Sequence, residues 1–431
     1  MDAVDTRAVI RNILNRVSER VLQATTAVVN RHPRVRQLQQ EIAARDEALK
    51  WHRLPAFMHN CHGAAGAPGC VAAFDQPTPQ TREAARRVID AFHRSKADDH
   101  EAAPSLWGIA RGIFYQEFIG AIEARNVEQV ESILARTFQT SIIWGTCHGS
   151  PQCATELARG PRDHYLCLRA TDVLCSLAEA VGVRPPPSIE QLHSYGGYMQ
   201  QMHINLEELV ARVESATGLD LSFPRVAGAM GVEIGGRFFT IGSIHHSYSV
   251  YRLRELGAQP EDSIVEIGGG YGCLANLFAR AGYNNYEIID LPWINAVQGY
   301  FLLRSLPPES VCLYGEDHGG GIRVSPCWAF HQHAERSIDY VMNINSLPEI
   351  GLADAREYLA SIARVTRKMF YSINQETQAA VPGVGQQGCV PALAAETRRL
   401  QRVSRFLNWM EQGYVEEHYV PLRENAALRA A

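Results

Sequence analysis

The chain has 431 residues, of which 46% are hydrophobic and 20% charged, with a formal net charge of −5. That is the composition of an ordinary globular protein, long enough for two domains, with no basic field to argue for nucleic acid or anionic lipid. No apolar run approaches the roughly 20 residues of a membrane span. The start, Met1-Asp2-Ala3-Val4-Asp5, lacks the basic and apolar regions of a secretory signal, and ten Cys without a Cys-x-x-Cys pair fit a reducing cytoplasm.

Residues 4–50 carry an apolar stripe at Ile10, Leu14, Val17, Val21, Ala24 and Val28, in steps of four and three. This predicts an amphipathic helix packed on its own domain, with a homodimer contact as the alternative. Pro and Gly break periodicity over 55–80. Helical patterning returns at 81–97, 105–137, 164–181 and 189–217. Residues 1–225 therefore read as a mostly α-helical N-terminal region, serving as a cap or a dimerisation element.

The pattern changes at 226. Two β-prone runs flank Gly235-Gly236, a hairpin signal, and a helix follows over 244–256 with His245 and His246. Strands are predicted at 264–267, 286–290, 311–314, 339–343, 369–373 and 414–420, with helices at 273–281, 293–304, 353–366 and 392–410. This alternation argues for a doubly wound, mostly parallel sheet closed by an antiparallel edge strand. The fold class is α/β, with the sheet domain spanning 226–431.

The glycine turn of that domain is Glu266-Ile-Gly268-Gly269-Gly270-Tyr-Gly272. Such a turn brings backbone close to a ligand at the carboxyl ends of the strands. Cys273 stands where a dinucleotide fingerprint has its third glycine, and no Gly-Lys-Ser/Thr follows for a phosphate loop. Glu266 would repel a pyrophosphate and suits a ligand with an ammonium group and no phosphate. Asp290, ending the second strand, is placed to accept from two ribose hydroxyls. S-adenosylmethionine has these properties.

The turn, together with Asp290-Leu-Pro-Trp293 and Asp339-Tyr-Val-Met-Asn343-Ile-Asn-Ser-Leu-Pro-Glu349, resembles the class I S-adenosylmethionine-dependent methyltransferases. Within that class it is similar to the bacterial sugar O-methyltransferase family, over roughly residues 225–425. The resemblance implies that Glu266, Gly268, Gly269, Gly270 and Gly272 meet the methionine part of the cofactor. It places Asp290 on the ribose, Leu291 or Trp293 beside the adenine, Asp317 on the adenine amino group and Asn343 under the sulfonium. The partner it implies is a small-molecule acceptor, a sugar or glycan among them. N- or C-methylation of another intermediate, and a non-catalytic cofactor-binding protein, are the alternatives.

An alcohol acceptor needs a base within hydrogen-bond reach. His246, Glu349 and Glu376 are the candidates, His246 on the helix before the glycine strand and the two acids after the fourth and fifth strands. His331-Gln-His333 near Asp317 or Asp339 has metal-ligand residue types, but reads as a polar loop. His59, Cys61, His62 and Cys70, with Cys147, His148 and Cys153, read as buried free side chains, not as a zinc site. No metal is expected.

Overall fold

The computed structural model describes residues 67–96, 105–147, 157, 165–186, 190, 204–317 and 320–422. The predicted helix at 4–50, and with it the dimer contact, lies outside the described residues. So do His59, Cys61, His62, His148 and Cys153.

A short strand, β1 (Gly69–Val71), emerges from the stretch read as loop. Helix α1 (Pro79–Lys96) buries Ala84, Ala85, Val88, Ile89 and Phe92 along one face. The stretch 105–137 is not continuous. It divides into α2 (Leu106–Phe114), α3 (Gln116–Glu123) and α4 (Val127–Leu134). The Ser105 side chain caps the start of α2 by accepting from Gly108 N, and that of Asn126 marks the break before α4 by accepting from Gln129 N. None of the residues of α2 is buried, despite its apolar sequence. Then come α5 (Tyr165–Ala180) and α6 (Leu206–Thr217). The expected hairpin forms from β2 (Met230–Ile234) and β3 (Arg237–Phe239), and β1 pairs antiparallel with β2. Helix α7 (Ile241–Glu255) opens on a reciprocal capping box between Thr240 and Ser243.

From here strands and helices alternate. In chain order they are β4 (Ile264–Ile267), α8 (Cys273–Arg280), β5 (Asn285–Asp290), α9 (Pro292–Ser305), β6 (Val311–Leu313), β7 (Gly321–Pro326), β8 (Ile338–Ile344), α10 (Leu352–Val365) and β9 (Thr366–Gln375). A small hairpin, β10 (Ala380–Val381) with β11 (Gly385–Gln386), precedes α11 (Val390–Thr397), β12 (Leu400–Leu407) and β13 (Tyr414–Pro421). The sheet order is β12-β13-β9-β8-β4-β5-β7-β6. The strands from β9 to β6 run parallel, and β13 is antiparallel to both β9 and β12.

This is the doubly wound, Rossmann-like sheet that was expected. The chain leaves β4 toward β5 on one side and returns to β8 on the other, so the switch point lies at β4 and β8, where such sheets bind ligands. Helices α10 and α11 cover one face with Leu359, Ile362 and Leu393 against Val265, Ile289, Val341 and Phe370. Each fully buried side chain of this size contributes about 1.5–3 kcal/mol.

Two elements differ from expectation. The strand expected at 311–314 forms as β6 at the outer edge, but a further strand, β7, lies between it and β5, formed by the stretch that the sequence presents as irregular. Second, the helix expected over 392–410 ends at Thr397, where Arg398 takes a left-handed conformation with φ of 52°. Its Ala- and Arg-rich continuation looks helical, yet Leu400–Leu407 pairs with β13 as the true edge strand. Ladder bonding here outweighs local propensity. The antiparallel strand at 414–421 is thus interior.

Candidate active site

The glycine turn wraps over Glu266. A Cβ on Gly269 would lie 2.8 Å from Glu266 Oε2 and 2.7 Å from Ile288 Cγ2. Gly268 has φ of +76°, and a Cβ there would sit 2.2 Å from Ser346 Oγ. Any larger residue at either position would displace the turn. Beneath it Glu266 is 2% exposed and accepts from the Tyr286 hydroxyl at 2.8 Å. Burial pushes its carboxyl up to about 8, with the Tyr286 donor opposing and Asp290 reinforcing the rise.

Asp290 ends β5 on the same rim. Its Oδ1 accepts from Leu291 N and its Oδ2 from Gln298 Nε2, both at 2.8 Å. Gln298 Nε2 also donates to Gly270 O at 2.9 Å, which ties the glycine turn to α9. Burial raises the Asp290 carboxyl to about 7 against these donors. The Gly269 backbone N–H also acts as a donor toward this carboxyl, which keeps acceptor capacity beyond these contacts.

Two cavities meet at this rim. One, of about 290 Å³, is lined by Ile289, Leu291, Trp328 and Tyr358 among others. The second, of about 240 Å³, holds Glu266, Gly269, Gly270, His246, Glu349, Glu411 and Tyr414 in its wall. Trp107, Gly268, Asp290 and Ser346 line both. Gly272, at φ of 97°, starts α8 behind the turn.

The acceptor-side candidates separate clearly. Glu349 follows β8 and faces the second cavity, where its Oε2 accepts from Trp107 Nε1 at 3.1 Å. Burial raises its carboxyl to about 7, and the indole donor opposes that rise. His246 lines the same cavity, while His245 is buried with Nε2 3.7 Å from Glu411 Oε2. Glu376 is not brought to either cavity. It makes a two-pronged ion pair with Arg405 on β12, with Nη2 to Oε2 at 2.9 Å, and Arg405 holds its carboxyl below the usual range.

Two cofactor-side expectations are corrected. Asn343 is fully buried and spent on structure: its Nδ2 donates to Ile267 O at 2.9 Å, and its Oδ1 accepts from Asn374 Nδ2 at 2.9 Å. The residues of that segment that line the second cavity are Ile344, Asn345, Ser346 and Glu349. Asp317 is exposed beyond the edge strand β6 and lines neither cavity, because the strand that reaches the rim is β7. Cys327 and Trp328, directly after β7, line the first cavity. Trp293 also lies outside both cavities and carries the Arg111 guanidinium 5.0 Å above its ring. Leu291 lines the first cavity.

The metal-type residues do not converge. His331 Nδ1 bonds Ser361 Oγ at 2.8 Å, His333 Nε2 lies 3.2 Å from Glu287, and Asp339 pairs with Arg367 at the opposite ends of the strands. Among the described residues there is no group of three or more side chains placed to hold a metal ion. Nor is there a helix long and apolar enough to cross a membrane.

The reading of the sequence missed Trp107, Ser346, Trp328, Glu411 and Tyr414. Ser346 and Trp328 follow strand ends, and a correct strand register would have found them. Trp107 and Glu411 carry no local signal.

No protein-family model matches the chain, and no curated protein matches it. Among solved structures it is similar to the magnesium protoporphyrin IX methyltransferase of Synechocystis with bound SAH, at 13% identity and a TM-score of 0.31, covering 41% of this chain and 81% of that one. It is also similar to a SAM-dependent methyltransferase of Methanosarcina mazei, at 15% identity and a TM-score of 0.30, covering 40% of this chain and 98% of that one. Likeness at this level carries no argument about activity; the fold rests on the strand order itself.

Proposed function

We propose that the chain is an S-adenosylmethionine-dependent O-methyltransferase acting on a hydroxyl of a sugar or another small molecule. The observation that carries the reading is Asp290 at the junction of the two cavities, with Glu266 behind a turn that only glycine can make. Two carboxyls here disfavour a pyrophosphate and favour a cationic ligand with a vicinal diol. The spare acceptor capacity of Asp290 suits the ribose hydroxyls. Leu291, Trp328, Ile289 and Tyr358 offer the apolar walls an adenine needs. Glu266 and the glycine turn then face the ammonium end.

When bound, S-adenosylmethionine supplies a methyl group on a sulfonium, whose sulfur keeps the bonding pair as the methyl passes to the acceptor oxygen. The protein's part is alignment, exclusion of water and removal of a proton. Glu349 is our base: its carboxyl sits in the second cavity and titrates near neutral pH, where a general base works best. His246 lines the same cavity as a second group able to take the proton. A hydroxyl acceptor would lose its proton to Glu349 as the new C–O bond forms.

The test is a calorimetric titration of the purified full chain with S-adenosylmethionine. We expect saturable binding with proton release; no heat and no thermal shift at millimolar cofactor would reject the reading.

A further inference from the structure

The two edges of the eight-stranded sheet are finished differently. At one edge, β6 has three residues, all buried, and side chains take up its backbone groups. Arg87 on α1 donates from Nη2 to Val311 O at 2.8 Å, and Glu316 accepts from Leu313 N at 2.8 Å. At the other edge, β12 runs for eight residues, and among the described residues its backbone is bonded by β13 alone. An unpaired strand edge is a template for another strand.

Such an edge is commonly guarded by free charges. Here both arginines of β12 are engaged by carboxylates of their own sheet. Arg402 donates to Glu417 on β13 at 2.9 Å, and Arg405 donates to Glu417 and to Glu376, each at 2.9 Å. The side chains left outward are apolar. Of the nine exposed large hydrophobic side chains among the described residues, Val403, Leu407 and Trp409 lie in this one stretch, and Leu407 is 76% exposed.

A second copy of the chain fits this edge, and charge selects how it pairs. A bulge between Arg402 and Ser404 interrupts the ladder and leaves residues 404–407 as regular strand. Two such strands, antiparallel about a two-fold axis normal to the sheet, set one residue opposite its own copy. Only an axis at one of the two middle residues overlaps most of the segment. At Arg405 it would oppose two guanidinium groups, which is unfavourable. At Phe406 it opposes ring to ring, Arg405 to Leu407 and Ser404 to Asn408, with Val403 facing Trp409 at each end. No like charges meet in that register.

We propose that the protein is a homodimer in which the β12 edges of two copies pair antiparallel about Phe406, joining the two sheets into one.

Sedimentation equilibrium of the full chain at tens of micromolar should give twice the chain mass. Leu407→Lys changes an exposed side chain, so the circular dichroism spectrum should be retained. It sets two cations opposite each other, and the dimer dissociation constant should rise at least about tenfold. A monomer in the unaltered protein overturns the proposal, whether another part of the chain covers the edge or a different partner takes it. So does a dimer that Leu407→Lys leaves intact, since it would have formed through another surface. The axis is tested by oxidising Phe406→Cys and Val403→Cys. The first should give a disulfide-linked dimer that the unaltered protein does not, and the second should not. A dimeric Phe406→Cys that fails to cross-link overturns the pairing; should that variant misfold, the Leu407→Lys result still decides.

Discussion

The two ends of the joined cavities are built differently. At the glycine-turn end, the carboxyls and the turn come from strand termini or the residues just after them: Glu266 and Gly268–Gly270 from β4, Asp290 and Leu291 from β5. In the rest of the second cavity's wall, Glu349 comes from the turn after β8 and Glu411 from the turn between β12 and β13, while Trp107, from α2, lines both cavities. Strand ends are fixed by the sheet's hydrogen bonds, so their chemistry is preset by the fold. Turns between elements are free to vary, and that is where one fold acquires different acceptors. The strongest tests are those that remove a group from one end and ask whether the other notices.

The largest effect is expected from Asp290→Ala. It removes two potential charge-assisted bonds to a diol, each worth about 1.5–3 kcal/mol. Cofactor affinity should fall by on the order of 100-fold or more, measured by calorimetry. Unchanged cofactor affinity would mean that the ribose is not at Asp290 and that the two ends have been assigned the wrong way round.

The same contrast governs what could be read from the sequence. Glu266, the glycines, Asp290 and Leu291 lie within one strand–turn–helix–strand stretch, where local pattern and three-dimensional position coincide. Errors arose where pairing overrode local pattern. Reading β7 as an irregular stretch hid Trp328, which follows that strand and lines the first cavity. Reading β12 as helix had two consequences. It concealed Arg405, whose ion pair occupies Glu376, and it concealed the β12–β13 turn that carries Glu411. Asn343 was found at the right strand end, but the next three residues decide its role, since Ser346 rather than Asn343 faces the cavities. Trp107 reaches Glu349 across 242 positions, a contact that no local pattern records.

A second test asks whether the glycine-turn end is strained without its ligand. Glu266 titrates near 8 in the folded chain, well above its ordinary range, because burial disfavours its charge. Between its ordinary value and about 8 the folded state holds a proton that the unfolded state has released. Stability of the ligand-free protein therefore falls as pH rises through that window. Asp290 and Glu349, both raised to about 7, act in the same direction. Glu266→Gln keeps an acceptor for Tyr286 and cannot ionise. Its ligand-free melting temperature should exceed that of the unaltered protein at pH 8 by a few degrees, on the order of 1–2 kcal/mol, with little difference at pH 5. Cofactor affinity at pH 8 should drop by roughly tenfold. Thermal melts at the two pH values decide the first point. Titrations in buffers of different ionisation enthalpy decide the second, since the variant should release fewer protons on binding.

The smallest expected effect lies at the hinge between the ends. Trp107 lines both cavities and donates to Glu349 Oε2. That donor stabilises the carboxylate against burial, so its removal should raise the Glu349 carboxyl further. Trp107→Phe keeps an aromatic wall and deletes only the N–H. A single hydrogen bond of about 0.5–1.5 kcal/mol corresponds to roughly half to one pH unit. A ¹³C titration of the Glu349 carboxyl should move upward by that amount, and the acid limb of methyl transfer should move with it. Cofactor affinity at pH 8 should stay within about twofold, because the ring still borders the cavity and Asp290 is untouched. A large loss of cofactor affinity, with no movement of the Glu349 titration, would place Trp107 with the glycine-turn end and leave the proposed base without its positioning donor.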